Sequence, residues 1–116
     1  MEKVVVDTKN WIVIPDIILI RHRNTQIEWR IDTNEWEFAA KVEEAFKIGK
    51  GHSGTDPVRE FDEHDVQLVA GNRRVFKLRS RNLGRDVYKY TLTLQKKDDP
   101  KEIKVIDPMI CNTGDF

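Results

Sequence analysis

VYKYTLTLQ, Val87 to Gln95, is the stretch on which the reading of the whole chain turns. Tyr88, Tyr90, Leu92 and Leu94 alternate with Val87, Lys89, Thr91 and Thr93. A period of two marks a β-strand with one face on a core, and aromatic and β-branched residues suit a pleated surface. Just upstream, RVFKLRSR places Phe76, Leu78 and Ser80 on one side and Lys77, Arg79 and Arg81 on the other. Asn82 to Asp86, NLGRD, turns the chain back between the two. Downstream, Lys96 to Lys101 form another turn, and EIKVIDPMI closes the sheet with Pro108 at an end or an edge.

The amino-terminal third follows the same period. KVVV and WIVI flank Asp7 to Asn10, and Pro15-Asp16 punctuates. Ile17 to Arg23, IILIRHR, starts apolar on both faces and reads as a central strand covered on both sides. Asn24-Thr25 then joins it as a hairpin to QIEWRID, where Ile27, Trp29 and Ile31 share a face. The expected core therefore brings together Trp29, Phe76, Leu78, Tyr90 and Leu92.

Residues 33–48, TNEWEFAAKVEEAFKI, fit two patterns. Asn34 and Glu37 make a capping box, Phe38, Val42 and Ala45 share a helical face, and Gly49 could end it. Trp36, Phe38, Ala40 and Val42 also alternate as a strand. Gly49 to Pro57 holds three of the six glycines and reads as a loop, followed by VQLVAG and a turn at Gly71-Asn72. Seven to nine short strands in one domain, residues 1–116, predict an all-β, two-sheet Greek-key sandwich.

Bulk properties narrow the functional classes. At 116 residues the chain has the size of one domain and buries about 65% of its unfolded surface, enough for a core without metal or disulfide staples. Twenty Lys and Arg balance twenty Asp and Glu, so net charge supplies no pull toward nucleic acid or membranes. A single cysteine, Cys111, rules out an intrachain disulfide and a cysteine-rich zinc site. The start, MEKVVVDTKNW, lacks the basic and apolar regions of a signal peptide, and the longest apolar run, IILI, is far short of a membrane span. A cytoplasmic location is the expectation.

The order of features resembles a known group. PDIILI…TQIEWRID resembles the early strands of cupredoxin-like and immunoglobulin-like sandwiches, in which a Pro-led strand is followed by a hairpin and an apolar-Xaa-Trp strand. RSRNLGRDVYKYTLTLQ…IDPMICN is similar to a pattern of small uncharacterised bacterial β-sandwich proteins. There an Arg-Asn turn (Arg81-Asn82) precedes a Tyr-Lys-Tyr-Thr strand, and Asp107-Pro108-Met109-Ile110-Cys111-Asn112 ends the chain. The resemblance implies a fold and no activity. It favours a mostly extended reading of 35–48 with at most one short helix. A copper site would need two histidines, a cysteine and an axial methionine. Here Thr91 or Leu92 stands where the thiolate would belong, His52 lies in the glycine loop, and Met109 and Cys111 come in reverse order. No copper and no other cofactor is expected.

Candidate sites compete with plainer readings. Asp62, His64 and Asp65 in EFDEHD could bind a divalent cation, but contiguous acids in a loop usually face water. Cys111 beside Ile110 reads as a small hydrophobe, and Glu35 and Glu37 around Trp36 do not make an acid–base pair. No nucleophile elbow, phosphate loop or dinucleotide fingerprint is present, so an enzyme is the weaker alternative. Charge asymmetry is the best lead. Gly71 to Tyr90 holds seven basic residues against one acid, and Lys41 to Asp65 holds seven acids against four bases. Lys77, Arg79, Arg81 and Lys89 are the candidate binding face, suited by charge to RNA, single-stranded DNA or an acidic protein partner. Without exposed aromatics for base stacking, tight nucleic-acid binding is not expected, and the plainest reading is a solvated, aggregation-blocking face.

Overall fold

The computed structural model describes residues 1–114. In chain order the elements are β1 (Glu2–Asp7), β2 (Ile12–Ile14), β3 (Ile17–Ile20), β4 (Thr25–Ile31), β5 (Trp36–Phe38), α1 (Val42–Ala45), β6 (Phe46–Ile48), α2 (Pro57–Glu60), β7 (Phe61–Val69), β8 (Asn72–Ser80), β9 (Arg85–Lys96), β10 (Ile103–Ile106) and β11 (Met109–Thr113). One sheet runs β2-β1-β4-β8-β7; the other runs β10-β9-β11-β3, with β5 and β6 also paired to β9. The two sheets pack face to face as an all-β sandwich, and both are mixed, because β1 runs parallel to β4 and β3 parallel to β11.

Among the described residues eleven strands replace the seven to nine expected, because two stretches read as single strands are each cut in two. Pro15 and Asp16 separate β2 from β3, so one stretch of chain passes from the first sheet to the second. Asp107-Pro108 separates β10 from β11, yet both continue one antiparallel register along β9. The single-turn helix α1 separates β5 from β6, so residues 35–48 hold two three-residue strands and one short helix. A second one-turn helix, α2, lies where only loop was read. Asp56 caps it by accepting from the Val58 N–H, and Pro57 sits in its first turn.

Two readings of the β3 region are corrected. The segments on either side of Asn24-Thr25 do not form a hairpin: β3 belongs to the second sheet and β4 to the first. Asn24, at φ 53°, turns the chain between layers rather than back along a neighbour. Nor is β3 covered on both sides. It is an edge strand in which Ile18 and Ile20 are buried, while Ile17 and Leu19 are 48% and 39% exposed. A run of four apolar residues carries no periodicity that separates these cases.

The core is the one the alternation called for. Trp29, Phe76, Leu78, Tyr90 and Leu92 are all buried in one cluster. Trp29 Nε1 donates to the Tyr90 hydroxyl at 3.0 Å, and burial drives the Tyr90 pKa upward. Polar side chains stitch the layers at one end. Asn112 accepts from Ser80 Oγ at 2.9 Å and donates to Glu60 at 3.0 Å. Asn82 donates to the carbonyls of Ile20 and His22 and accepts from the Gly114 N–H. Each of these buried groups would be costly if left unmatched.

Candidate functional site

The four residues of the expected basic face separate into two places. On β8, Lys77 and Arg79 alternate with buried Phe76 and Leu78 and so emerge on the outer surface of the first sheet. That surface is neutralised from within. EFDEHD is not a loop: Phe61 onward forms β7, and its register sets Asp62 against Arg79 and Asp65 against Lys77. Arg79 grips Asp62 in a two-pronged pair at 2.9 Å on each oxygen, and Arg81 adds contacts at 3.0 and 2.8 Å. Glu63, at the bulge in β7, reaches Arg79 at 3.2 Å. Hydrogen bonding from Arg79, opposed by burial and reinforced by Arg81, holds the Asp62 carboxyl down at about 2. A stripe read as a free basic face is therefore a salt-bridged pair of strands.

The same pairing removes the metal candidate. With Asp62 engaged by two guanidiniums, Asp65 accepts from Gln67 at 3.2 Å and the His64 ring lies 6.4 Å from Phe46. Among the described residues no group of three or more His, Cys, Asp or Glu is placed to hold a metal ion. The residues do not fit copper either. Thr91 Oγ1 donates to Asp107, and Cys111 lies on β11 while His52 meets the opposite edge of β9 through Val87. Their backbones are roughly 10 Å apart, two strand spacings. Glu37, beside Trp36, is buried and bound to Arg73 at 2.8 Å and Gln95 at 3.1 Å.

Lys89 stands apart from the other three, on the outer face of the second sheet. Val87 and Lys89 of β9, Met109 and Cys111 of β11, and Ile17 and Leu19 of β3 form cross-strand rows there. Lys89, Met109 and Ile17 make one row; Val87, Cys111 and Leu19 make the next. A cavity of about 400 Å³ opens beside them, lined by Lys50, His52, Val87, Lys89 and Met109. The side chains of Lys50, His52 and Lys89 have no ion-pair or hydrogen-bond partner among the described residues. A second cavity of about 260 Å³ lies on the other side of Met109, with walls of Trp11, Ile17, Ile106 and Pro108 and the carboxylates of Asp16 and Asp107.

The glycine loop that carries Lys50 and His52 is held by Asp86. Its carboxylate accepts from the N–H groups of Ser53 at 2.9 Å, Thr55 at 3.3 Å and Val87 at 2.8 Å. Those bonds, led by Ser53 and opposed by burial, hold its pKa at about 2. Gly51 is required at its position, because a Cβ there would sit 2.1 Å from Asp86 Oδ2. The His52 N–H also donates to the Val87 carbonyl at 2.8 Å, which docks the loop along β9. These contacts fix the two bases beside Lys89. Asp86, the lone acid in the basic stretch, was the available sequence signal.

No protein-family model matches the chain, and comparison with curated proteins yields no match. Among the described residues no helix is long and apolar enough to cross a membrane.

Proposed function

We propose that this protein is a non-enzymatic binding module, and that the outer face of β3, β11 and β9 docks an acid-bearing apolar partner. The observation that carries this reading is the cavity where Lys50, His52 and Lys89, three basic side chains without partners among the described residues, surround an apolar floor of Val87 and Met109. A pocket of this kind matches an anionic group attached to an apolar body: the cations fix orientation and the floor supplies hydrophobic contact. On the β7–β8 surface, by contrast, Arg79 and Arg81 already hold Asp62 and Glu63. The sandwich architecture supports kinship with the small bacterial β-sandwich proteins of cupredoxin-like or immunoglobulin-like form, and an intracellular bacterial role is part of the same proposal. Titration with anilinonaphthalene sulfonate, an anionic apolar fluorophore, tests the reading. Saturable fluorescence that is lost in Lys50→Glu/Lys89→Glu and kept in Arg79→Glu/Arg81→Glu supports it. Equal binding by both variants, or none by the native protein, refutes it.

A further inference from the structure

We infer that the second cavity, across Met109 from the first, is a binding site for a primary ammonium group on a short apolar chain. This ammonium site does not depend on the docking reading above. The fold leaves the cavity open. β3 begins at Ile17, opposite Met109, and pairs with β11 alone, so the outer edge of β10 has no described strand beside it. The corner between β2 and β3 runs past that edge as it crosses from one sheet to the other, and about 260 Å³ remain between them. Trp11, Val13, Ile106 and Pro108 give the cavity apolar walls; Asp16 and Asp107 give it two exposed carboxylates. Among the described residues no base lines it.

Charge and shape select the ligand. Asp107 Oδ1 accepts from Thr91 Oγ1 at 2.7 Å, and Asp16 Oδ1 from the neighbouring Ile17 N–H at 3.0 Å. The other oxygen of each has no hydrogen-bond partner among the described residues. Lys89, opposite Met109, and Lys104, with Nζ 5.4 Å from the centre of the Trp11 ring, ion-pair with neither carboxylate. Trp11 is fixed where it stands. Its φ is 56°, a left-handed backbone that is costly for a bulky residue, and its ring packs edge-on against Trp36 with 4.7 Å between centres. An indole face attracts cations, as the Lys104 contact shows. A primary ammonium can donate to the free carboxylate oxygens while its chain lies on the apolar walls. A quaternary ammonium has no N–H to donate, and a single aromatic ring makes no cage for it. An anion would meet like charge.

Titration with hexylammonium chloride, followed by amide chemical-shift mapping at constant ionic strength, tests the site. Shifts should concentrate at residues 11–17 and 106–109 and saturate with a Kd of about 1 mM, in keeping with so few ligand atoms. Hexanol, a chain of the same length without charge, should bind at least about fivefold more weakly, since exposed charge contacts are individually modest. Hexyltrimethylammonium, which has no N–H donor, should also bind more weakly than hexylammonium. Asp16→Asn/Asp107→Asn should weaken hexylammonium to the level of hexanol and leave hexanol unchanged, which shows that the cavity itself persists. Lys50→Glu/Lys89→Glu should bind hexylammonium at least as tightly as the native protein does, which separates this site from the anion-binding one. Hexylammonium that binds no tighter than either comparison compound, a preference that survives Asp16→Asn/Asp107→Asn, or shifts centred elsewhere overturns the inference.

Discussion

Replacing Gly51 by alanine probes the clamp that positions the site. The new Cβ would lie 2.1 Å from Asp86 Oδ2 and 2.4 Å from its Cγ, against the 3.4 Å or more of ordinary contact. Loop and carboxylate must separate by more than about 1 Å, since the obstruction is a side chain already held by three N–H groups. The Ser53 and Thr55 bonds to the carboxylate stretch or break. A hydrogen bond to a charged group contributes about 1.5–3 kcal/mol, and water entering the opened loop recovers part of it. The expected cost is about 2–4 kcal/mol, or roughly 8–16 °C in melting temperature at this chain length. Gly49→Ala and Gly84→Ala meet open space and should change stability by no more than about 0.5 kcal/mol. Urea and thermal unfolding followed by tryptophan fluorescence would measure all three. The effect has a pH signature. Asp86 is held at about 2 in the folded protein, below the ordinary 3.8. Its stabilisation is present above the unfolded value and fades as pH falls from about 4 toward 2. The gap between native and Gly51→Ala should therefore narrow over that range. A Gly51→Ala protein as stable as Gly49→Ala, or a gap that does not change with pH, would refute the clamp.

Three further outcomes follow from the same geometry. Leu92→Ala, at a fully buried position, should cost about 2–5 kcal/mol by urea denaturation, and a loss below about 1 kcal/mol would place Leu92 outside the core. Single-stranded RNA and DNA should bind no more tightly than high micromolar at ~150 mM salt, because Asp62 and Glu63 already occupy Arg79 and Arg81; micromolar binding lost on reversing Lys77, Arg79 and Arg81 would contradict this. Added Cu(II) should give no intense blue thiolate absorption, and a stoichiometric blue complex abolished by Cys111→Ser would overturn the ligand argument.

Alternation made the core legible. Trp29, Phe76, Leu78, Tyr90 and Leu92 each sit in a strand whose polar and apolar residues trade places one by one, so facing follows directly from position. IILI lacked that contrast, and only its parallel pairing with β11 fixed it as an edge. The basic stripe was legible as a strand face but not as a neutral one. Its neutralisation comes from β7, whose acids stand in the sequence as a cluster and become ladder partners only through register. Lys89 was correctly placed on a polar face but assigned to the wrong neighbours, because β8 and β9 lie in different sheets and the NLGRD turn carries the chain between layers. Lys50 and His52 were hidden in glycine-rich sequence, and the lone acid Asp86 was the one signal, since it binds their loop through backbone N–H groups.

The central claim concerns where an anionic apolar group goes. Amide and methyl chemical-shift mapping during titration with octanoate, a carboxylate on a short apolar chain, would locate it. Shifts should concentrate at residues 17–19, 50–52, 87–89 and 109–111 and vanish in Lys50→Glu/Lys89→Glu. Shifts centred on Lys77, Arg79 and Arg81, or spread evenly over the surface, would contradict the account.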